Sequence, residues 1–114
     1  MSSNQTIIVV TDEGMGKGEV ELKQSLISNY FININGTQNM PDAICFYSEG
    51  VKLTVKDSIV LNELKSLEQK GVKLLVCSTS LNYYKLSDRL RVGKITNMPE
   101  IMNFIWNANK VIYL

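Results

Sequence analysis

Short runs of β-branched and aliphatic residues alternate along this chain with segments in which apolar residues recur at helical spacing. The runs predict five strands, at residues 6–10, 43–47, 72–76, 94–96 and 110–114. Such alternation implies right-handed crossovers and a mostly parallel sheet between layers of helices. We therefore predict an α/β fold, a three-layer α/β/α sandwich with a five-stranded sheet. A length of 114 residues fits one domain over residues 1–114.

The composition excludes several kinds of chemistry. The chain has two cysteines, Cys45 and Cys77, and no histidine, which rules out Ser-His-Asp and Cys-His catalysis and His-ligated zinc within one chain. We expect no metal site. A net charge of +1 gives no reason to expect nucleic acid or an anionic membrane as partner. The first residues, MSSNQTIIVV, show neither a signal peptide nor a membrane span, so we expect a cytoplasmic protein with reduced thiols.

Ligands of open parallel sheets bind beyond the carboxyl ends of the strands. That rule selects three segments, residues 11–18, 47–50 and 77–80, which come from three strands and should meet at one edge. The candidate binding residues in them are Gly14, Met15, Gly16, Tyr47, Glu49, Ser78, Thr79 and Ser80.

Cys77 is the candidate catalytic residue. It ends the third predicted strand and precedes Ser78, Thr79 and Ser80 and a short predicted helix. Unpaired amides at the start of a helix stabilise a thiolate over a thiol. From position alone, a small apolar residue that closes the strand is an equally good interpretation. Cys45 lies inside an apolar strand, which favours a buried core cysteine.

The glycines at positions 14, 16 and 18 lie between a predicted strand and a predicted helix, which is the context of a phosphate cradle. The loop lacks both GxGxxG spacing and a Lys-Ser or Lys-Thr pair. A flexible loop that makes room for a ligand or a neighbouring subunit is therefore favoured over a nucleotide or flavin site. The basic stretch 85–94 could contact an acidic partner or tRNA, but a solvated helix face is the commoner outcome.

Several motifs carry a resemblance to a known family. They lie at residues 50–53, 64–72, 81–84, 92–98 and 108–112, and the loop at residues 14–18 also fits. Together they resemble the C-terminal domain of the YedF-type sulfurtransferase-like selenium metabolism proteins, in the DsrE/DsrF-like superfamily. The resemblance implies a five-stranded parallel sheet, flavodoxin-like in outline, a homo-oligomer, and no cofactor. It also implies that a cysteine after the third strand, here Cys77, carries a persulfide.

The sequence departs from that family pattern at two points. A Cys-x-x-Cys-like pair usually follows the third strand, whereas here Ser80 takes the second position, so we expect one-thiol chemistry. The sequence also shows no TusA/SirA-like segment with a Cys-Pro motif, so we expect a TusA-like sulfur carrier to act in trans. Two alternatives remain: an oligomeric binding or scaffold module with structural cysteines, and nucleotide or flavin binding at the glycine loop. For the oligomer we expect contacts through Met15, Tyr47, Tyr83 and Tyr84.

Overall fold

The computed structural model of this protein describes residues 5–114, and within them it contains five strands and four α-helices. The strands are β1 (Thr6–Val10), β2 (Ala43–Phe46), β3 (Lys73–Cys77), β4 (Lys94–Thr96) and β5 (Lys110–Tyr113). The helices are α1 (Val20–Asn35), α2 (Leu61–Gln69), α3 (Ser78–Tyr83) and α4 (Met98–Trp106). Two 3₁₀ segments, Ser48–Thr54 and Ser87–Arg89, follow β2 and α3.

The five strands form one parallel sheet in the order β4-β3-β2-β1-β5. The first three crossovers step in one direction across the sheet, and the last steps back over it to the far side of β1. Right-handed connections therefore place α1, α2 and α3 on one face and α4 on the other. The predicted three-layer sandwich with a five-stranded parallel sheet is confirmed.

The central strands are buried on both faces. Every residue of β2 is buried, as are the last four residues of β1 and of β3. Strands covered on both sides read as continuous apolar runs, and this is why the TIIVV, AICF and KLLVC segments lack alternation. The edge strands β4 and β5 are more exposed, and both begin with an exposed lysine.

Local signals fix two of the helix ends. The Asn97 side chain caps α4 by accepting a hydrogen bond from the Glu100 N–H at 3.0 Å, with proline in the first turn. The second end is the C-terminus of α1, where Gly36 caps the helix and its N–H donates to the Asn33 carbonyl at 3.0 Å. Both ends carry signals that the sequence shows directly, a glycine after the last turn of α1 and an Asn-Met-Pro-Glu segment at the start of α4.

Two segments differ from the prediction. The short apolar run at residues 51–55 is typical of an extended connector, whereas in the structure Ser48–Thr54 coils into a 3₁₀ helix. The chain turns as soon as it leaves β2: Ser48 has φ of +56°, and Gly50 then lies close to the Val10 carbonyl at the end of β1. The helix expected over residues 81–86 begins three residues earlier, at Ser78, directly after Cys77.

Candidate functional site at the carboxyl edge of the sheet

The three predicted loops meet at the carboxyl edge of the sheet. The Tyr47 N–H donates to the Val10 carbonyl at 3.1 Å, which joins the end of β2 to the end of β1. The Ser48 N–H donates to the Ser80 hydroxyl oxygen at 2.8 Å, which joins the same loop to the start of α3. These bonds hold the loops after β1, β2 and β3 side by side.

Gly50 makes the contact between β1 and the loop after β2 possible. A Cβ atom at this position would lie 2.1 Å from the Val10 carbonyl oxygen, far inside van der Waals contact. Tyr47 is half-buried beside it, and burial, with smaller contributions from Tyr113 and Cys45, raises the pKa of its hydroxyl. Glu49 is exposed on the same turn.

Cys77 is the last residue of β3 and immediately precedes α3. Its side chain is only 2% exposed. Strand alternation and the register with β2 and β4 put Cys77 on the same face of the sheet as Cys45 and Thr96, the face covered by α4. Thr96 is the register partner of Cys77, and its hydroxyl donates to the Glu100 carboxylate.

Cys45 lies mid-strand and is completely buried. Burial, together with the negative charge of Glu100, raises the pKa of its thiol to about 11. The thiol is therefore protonated and unreactive at neutral pH, since the thiolate is the nucleophile. The prediction of a core cysteine is confirmed. Both cysteines are free thiols.

The three residues after Cys77 differ in exposure. Ser78 and Ser80 are half-buried and Thr79 is exposed. Ser80 holds the loop after β2 by accepting the Ser48 N–H. The residue that replaces the family's second cysteine thus has a structural contact of its own.

The glycine loop packs down on α1 instead of opening a cradle. The Met15 N–H donates to the Lys23 carbonyl at 3.0 Å, and a Cβ on Gly14 would lie 2.5 Å from the Lys23 Cβ. Gly14 is therefore needed for close packing between loop and helix. Gly16 is exposed with φ of +80°, a conformation that glycine adopts readily.

Acidic side chains surround this loop. Lys23 pairs with Asp12 at 2.6 Å, and its hydrogen bond lowers the pKa of that carboxyl. Lys52 lies 3.5 Å from a Glu13 oxygen and 3.7 Å from a Glu49 oxygen. Lys17, Lys23 and Lys52 only balance these three carboxylates, so the loop has no surplus of positive charge that would favour a phosphate or support the nucleotide interpretation. Within residues 5–114 no three Cys, Asp or Glu side chains are grouped to hold a metal ion.

Three residues at this edge were not singled out from the sequence. Lys52 lies 4.4 Å from the centre of the Tyr84 ring and so connects the acidic cluster to α3. Thr96 and Glu100 form the polar pair under α4. The Asn97-to-Glu100 spacing was interpreted only as a helix start, and nothing in the sequence shows that the Glu100 carboxylate turns to Thr96.

A separate groove of about 710 Å³ lies between α1 and the edge strand β5. Its lining includes Ile8, Tyr30, Lys110 and Ile112. Of the predicted site residues only Met15 reaches it, so this groove and the position of Cys77 are different places on the molecule.

The fold recurs in solved structures of similar length. A protein of unknown function from Methanobacterium thermoautotrophicum (MTH1491) aligns with a TM-score of 0.69 at 18% identity, covering 97% of this chain and 99% of that one. The ychN protein from E. coli aligns with a TM-score of 0.71 at 18% identity, covering 96% and 99%. A conserved protein of unknown function from Bacteroides thetaiotaomicron (BT1422) aligns with a TM-score of 0.67 at 15% identity, covering 100% and 98%. At these identities the similarity establishes the fold.

A comparison with curated proteins finds no match. None of the helices found between residues 5 and 114 has the length and apolar character needed to cross a membrane. The sequence model of the DsrE/DsrF-like family matches residues 16–114, from the glycine loop through β5. This match covers most of the sequence, and the chain therefore belongs to the DsrE/DsrF-like family.

Proposed function

We propose that this protein is a sulfur or selenium carrier that uses a single cysteine, Cys77, as the persulfide-bearing thiol. The observation that supports this most is the position of Cys77 at the carboxyl end of β3, beside two other strand-end loops, in a chain of the DsrE/DsrF-like family. Its surroundings supply no second thiol, since Cys45 is buried in mid-strand.

The transfer balances without a cofactor. The Cys77 thiolate attacks the outer sulfur of a donor persulfide, and a new S–S bond forms as the donor's S–S bond breaks. The donor leaves as a thiol, which takes the proton of the outer sulfur, and Cys77 retains the sulfane sulfur as a persulfide anion. One thiol and one persulfide enter and the same two groups leave, so no oxidant is needed.

Loading requires a local opening, because the Cys77 side chain is 2% exposed. The segments in a position to move are residues 47–50 and 78–80, and the side-chain hydrogen bond joining them runs from Ser48 to Ser80. Because Cys77 lies at the end of its strand, we expect such an opening to disrupt less of the structure than exposure of a mid-strand thiol would. A donor protein that docks at the carboxyl edge could therefore reach Cys77.

The resemblance to YedF-type proteins completes the proposal. It favours a homo-oligomer in the cytoplasm that receives sulfur or selenium in trans from a TusA-like carrier. The exposed part of the carboxyl edge, with Glu49 and Thr79, is where such a carrier would dock.

The proposal is tested by mass spectrometry after incubation with a small persulfide donor. The wild-type protein and a Cys45→Ser variant should each gain about 32 Da, the mass of one sulfur, on Cys77. A Cys77→Ser variant should gain nothing. Absence of the adduct from folded wild-type protein, or an adduct on Cys45 alone, would refute the proposal.

The burial of both thiols favours one alternative, a non-catalytic oligomeric module with structural cysteines. Alkylation with a small reagent separates the two functions. A carrier should be labelled at Cys77 in the folded state more rapidly than at Cys45. A module with structural cysteines should be labelled at neither until it is unfolded.

A further inference from the structure

The groove between α1 and β5 has the size of a ligand site. Helix α1 belongs to the crossover from β1 to β2, and the other helices on this face, α2 and α3, belong to crossovers farther from β5. The edge strand β5 is therefore left open beside α1, and the groove there measures about 710 Å³. Pockets that bind small molecules usually measure roughly 300–1,000 Å³.

The middle of this groove is apolar. Its floor includes Ile8 of β1 and Ile112 of β5, which are register partners. Leu26 and Tyr30 of α1 line it as well, and burial raises the pKa of the Tyr30 hydroxyl. Met15, in the loop after β1, lines the groove toward the carboxyl edge of the sheet. An apolar ligand would remove this surface and its own surface from water, which favours binding.

The charge of the groove lies toward the amino edge of the sheet. Lys110, the first residue of β5, is the one charged side chain among the described residues that line the groove, and it forms no ion pair within residues 5–114. Gln38 and Asn39, in the loop before β2, add uncharged amide groups to the lining. The Asp42 carboxylate accepts the Thr6 N–H at 2.8 Å and does not line the groove. One unbalanced positive charge favours a ligand with one negative charge.

We propose that this groove binds a small amphiphilic carboxylate, whose carboxylate group meets Lys110 and whose apolar chain lies along the floor toward Met15. The residues of α1 that line it run from Leu26 to Ile34, a helix rise of about 12 Å, which suits an alkyl chain of medium length. A neutral apolar ligand would make no use of Lys110, and a multiply charged phosphate ester would meet a single cation. The proposal is independent of the sulfur chemistry.

The test is calorimetric titration of the full chain with decanoate and with decanol, its uncharged analogue. Wild-type protein should bind decanoate at one site per chain and at least about tenfold more tightly than decanol, because the charge-assisted hydrogen bond to Lys110 is added. Lys110→Met removes the charge and keeps an apolar stem, so it should weaken decanoate binding about tenfold and leave decanol binding unchanged. The matched control is Lys94→Met, at the exposed first residue of the other edge strand, and it should change neither affinity.

A second variant tests the apolar part of the groove. Leu26 is 39% exposed, so Leu26→Asp should leave the fold intact by urea denaturation, and it should weaken the binding of both ligands. Absence of saturable decanoate binding to wild-type protein overturns the proposal, as does equal weakening by the two lysine variants. Equal affinity for decanoate and decanol overturns the anionic class of ligand. If light scattering shows that decanoate binds only as an oligomer dissociates, the groove is an interface between copies, and the proposal is overturned.

Discussion

Cys45 and Cys77 lie on neighbouring strands and on the same face of the sheet, yet they differ in what surrounds them along the chain. Cys45 is followed by another buried strand residue, whereas Cys77 is the final residue of β3 and is followed by half-buried Ser78. Exposed fraction alone does not separate them, at 0% and 2%. The difference is in what must move to expose each thiol.

Cys45 lies mid-strand between its register partners Val9 on β1 and Leu75 on β3, so we expect its exposure to require a larger opening. Because Cys77 lies at the end of its strand, we expect a local opening at the carboxyl edge to be enough to expose it. Local openings of low free energy occur where few buried contacts are broken. Strand position is therefore the property that makes one cysteine a candidate carrier and the other a core residue.

The largest expected effect is at Gly50, in the loop after β2. Gly50→Ala places a Cβ against the Val10 carbonyl, so the loop after β2 must move away from β1. We expect the free energy of unfolding to fall by about 3 kcal/mol or more, and the loops to part. Urea denaturation measures the loss of stability. Alkylation of Cys77 measures the opening of the loops and should become faster in the variant.

The control for this prediction is Gly36→Ala. Gly36 has negative φ and its nearest atom to a new Cβ is 3.6 Å away, so the substitution should change stability little. Equal losses in the two variants would show that the Gly50 contact has no special role.

The strands could be predicted because buried parallel strands are continuous apolar runs, and their alternation with helices predicted that the sheet is mostly parallel. The position of Cys77 at a strand end follows from the same pattern. What could not be predicted depends on contacts between elements distant in sequence. Within the 3₁₀ segment at residues 48–54, Gly50 lies close to Val10, and the Glu100 carboxylate turns inward to Thr96. Neither interaction produces a periodic signal in the sequence.

High pH should destabilise the folded protein through Cys45. The pKa of Cys45 is raised from 9.0 to about 11, chiefly by burial. A raised pKa means that the folded state holds the proton more tightly than the unfolded state. The stabilisation is complete below pH 9 and is lost as pH rises toward 11.

Wild-type protein should therefore lose about 2 kcal/mol more unfolding free energy between pH 9 and 11 than a Cys45→Ala variant does, because each unit of pKa difference corresponds to about 1.4 kcal/mol. The variant retains every tyrosine and lysine, so the difference isolates Cys45. Denaturant titrations at a series of pH values measure it. Parallel curves for the two proteins would contradict the assignment of Cys45 as a buried, protonated thiol.

The smallest predicted effect is at the junction between the two strand ends. Ser80→Ala removes the oxygen that accepts the Ser48 N–H, and the freed N–H lies where water can reach it. We expect a loss of about 1 kcal/mol in stability. A free energy of about 1 kcal/mol corresponds to about a fivefold change in an opening equilibrium, so alkylation of Cys77 should become about fivefold faster. Labelling of Cys45 should stay unchanged, because only the loops are released. Ser80→Thr keeps the hydroxyl and serves as the matched control. If Ser80→Ala accelerates labelling of both cysteines equally, the whole sheet opens as one unit, and strand position does not distinguish Cys77 from Cys45.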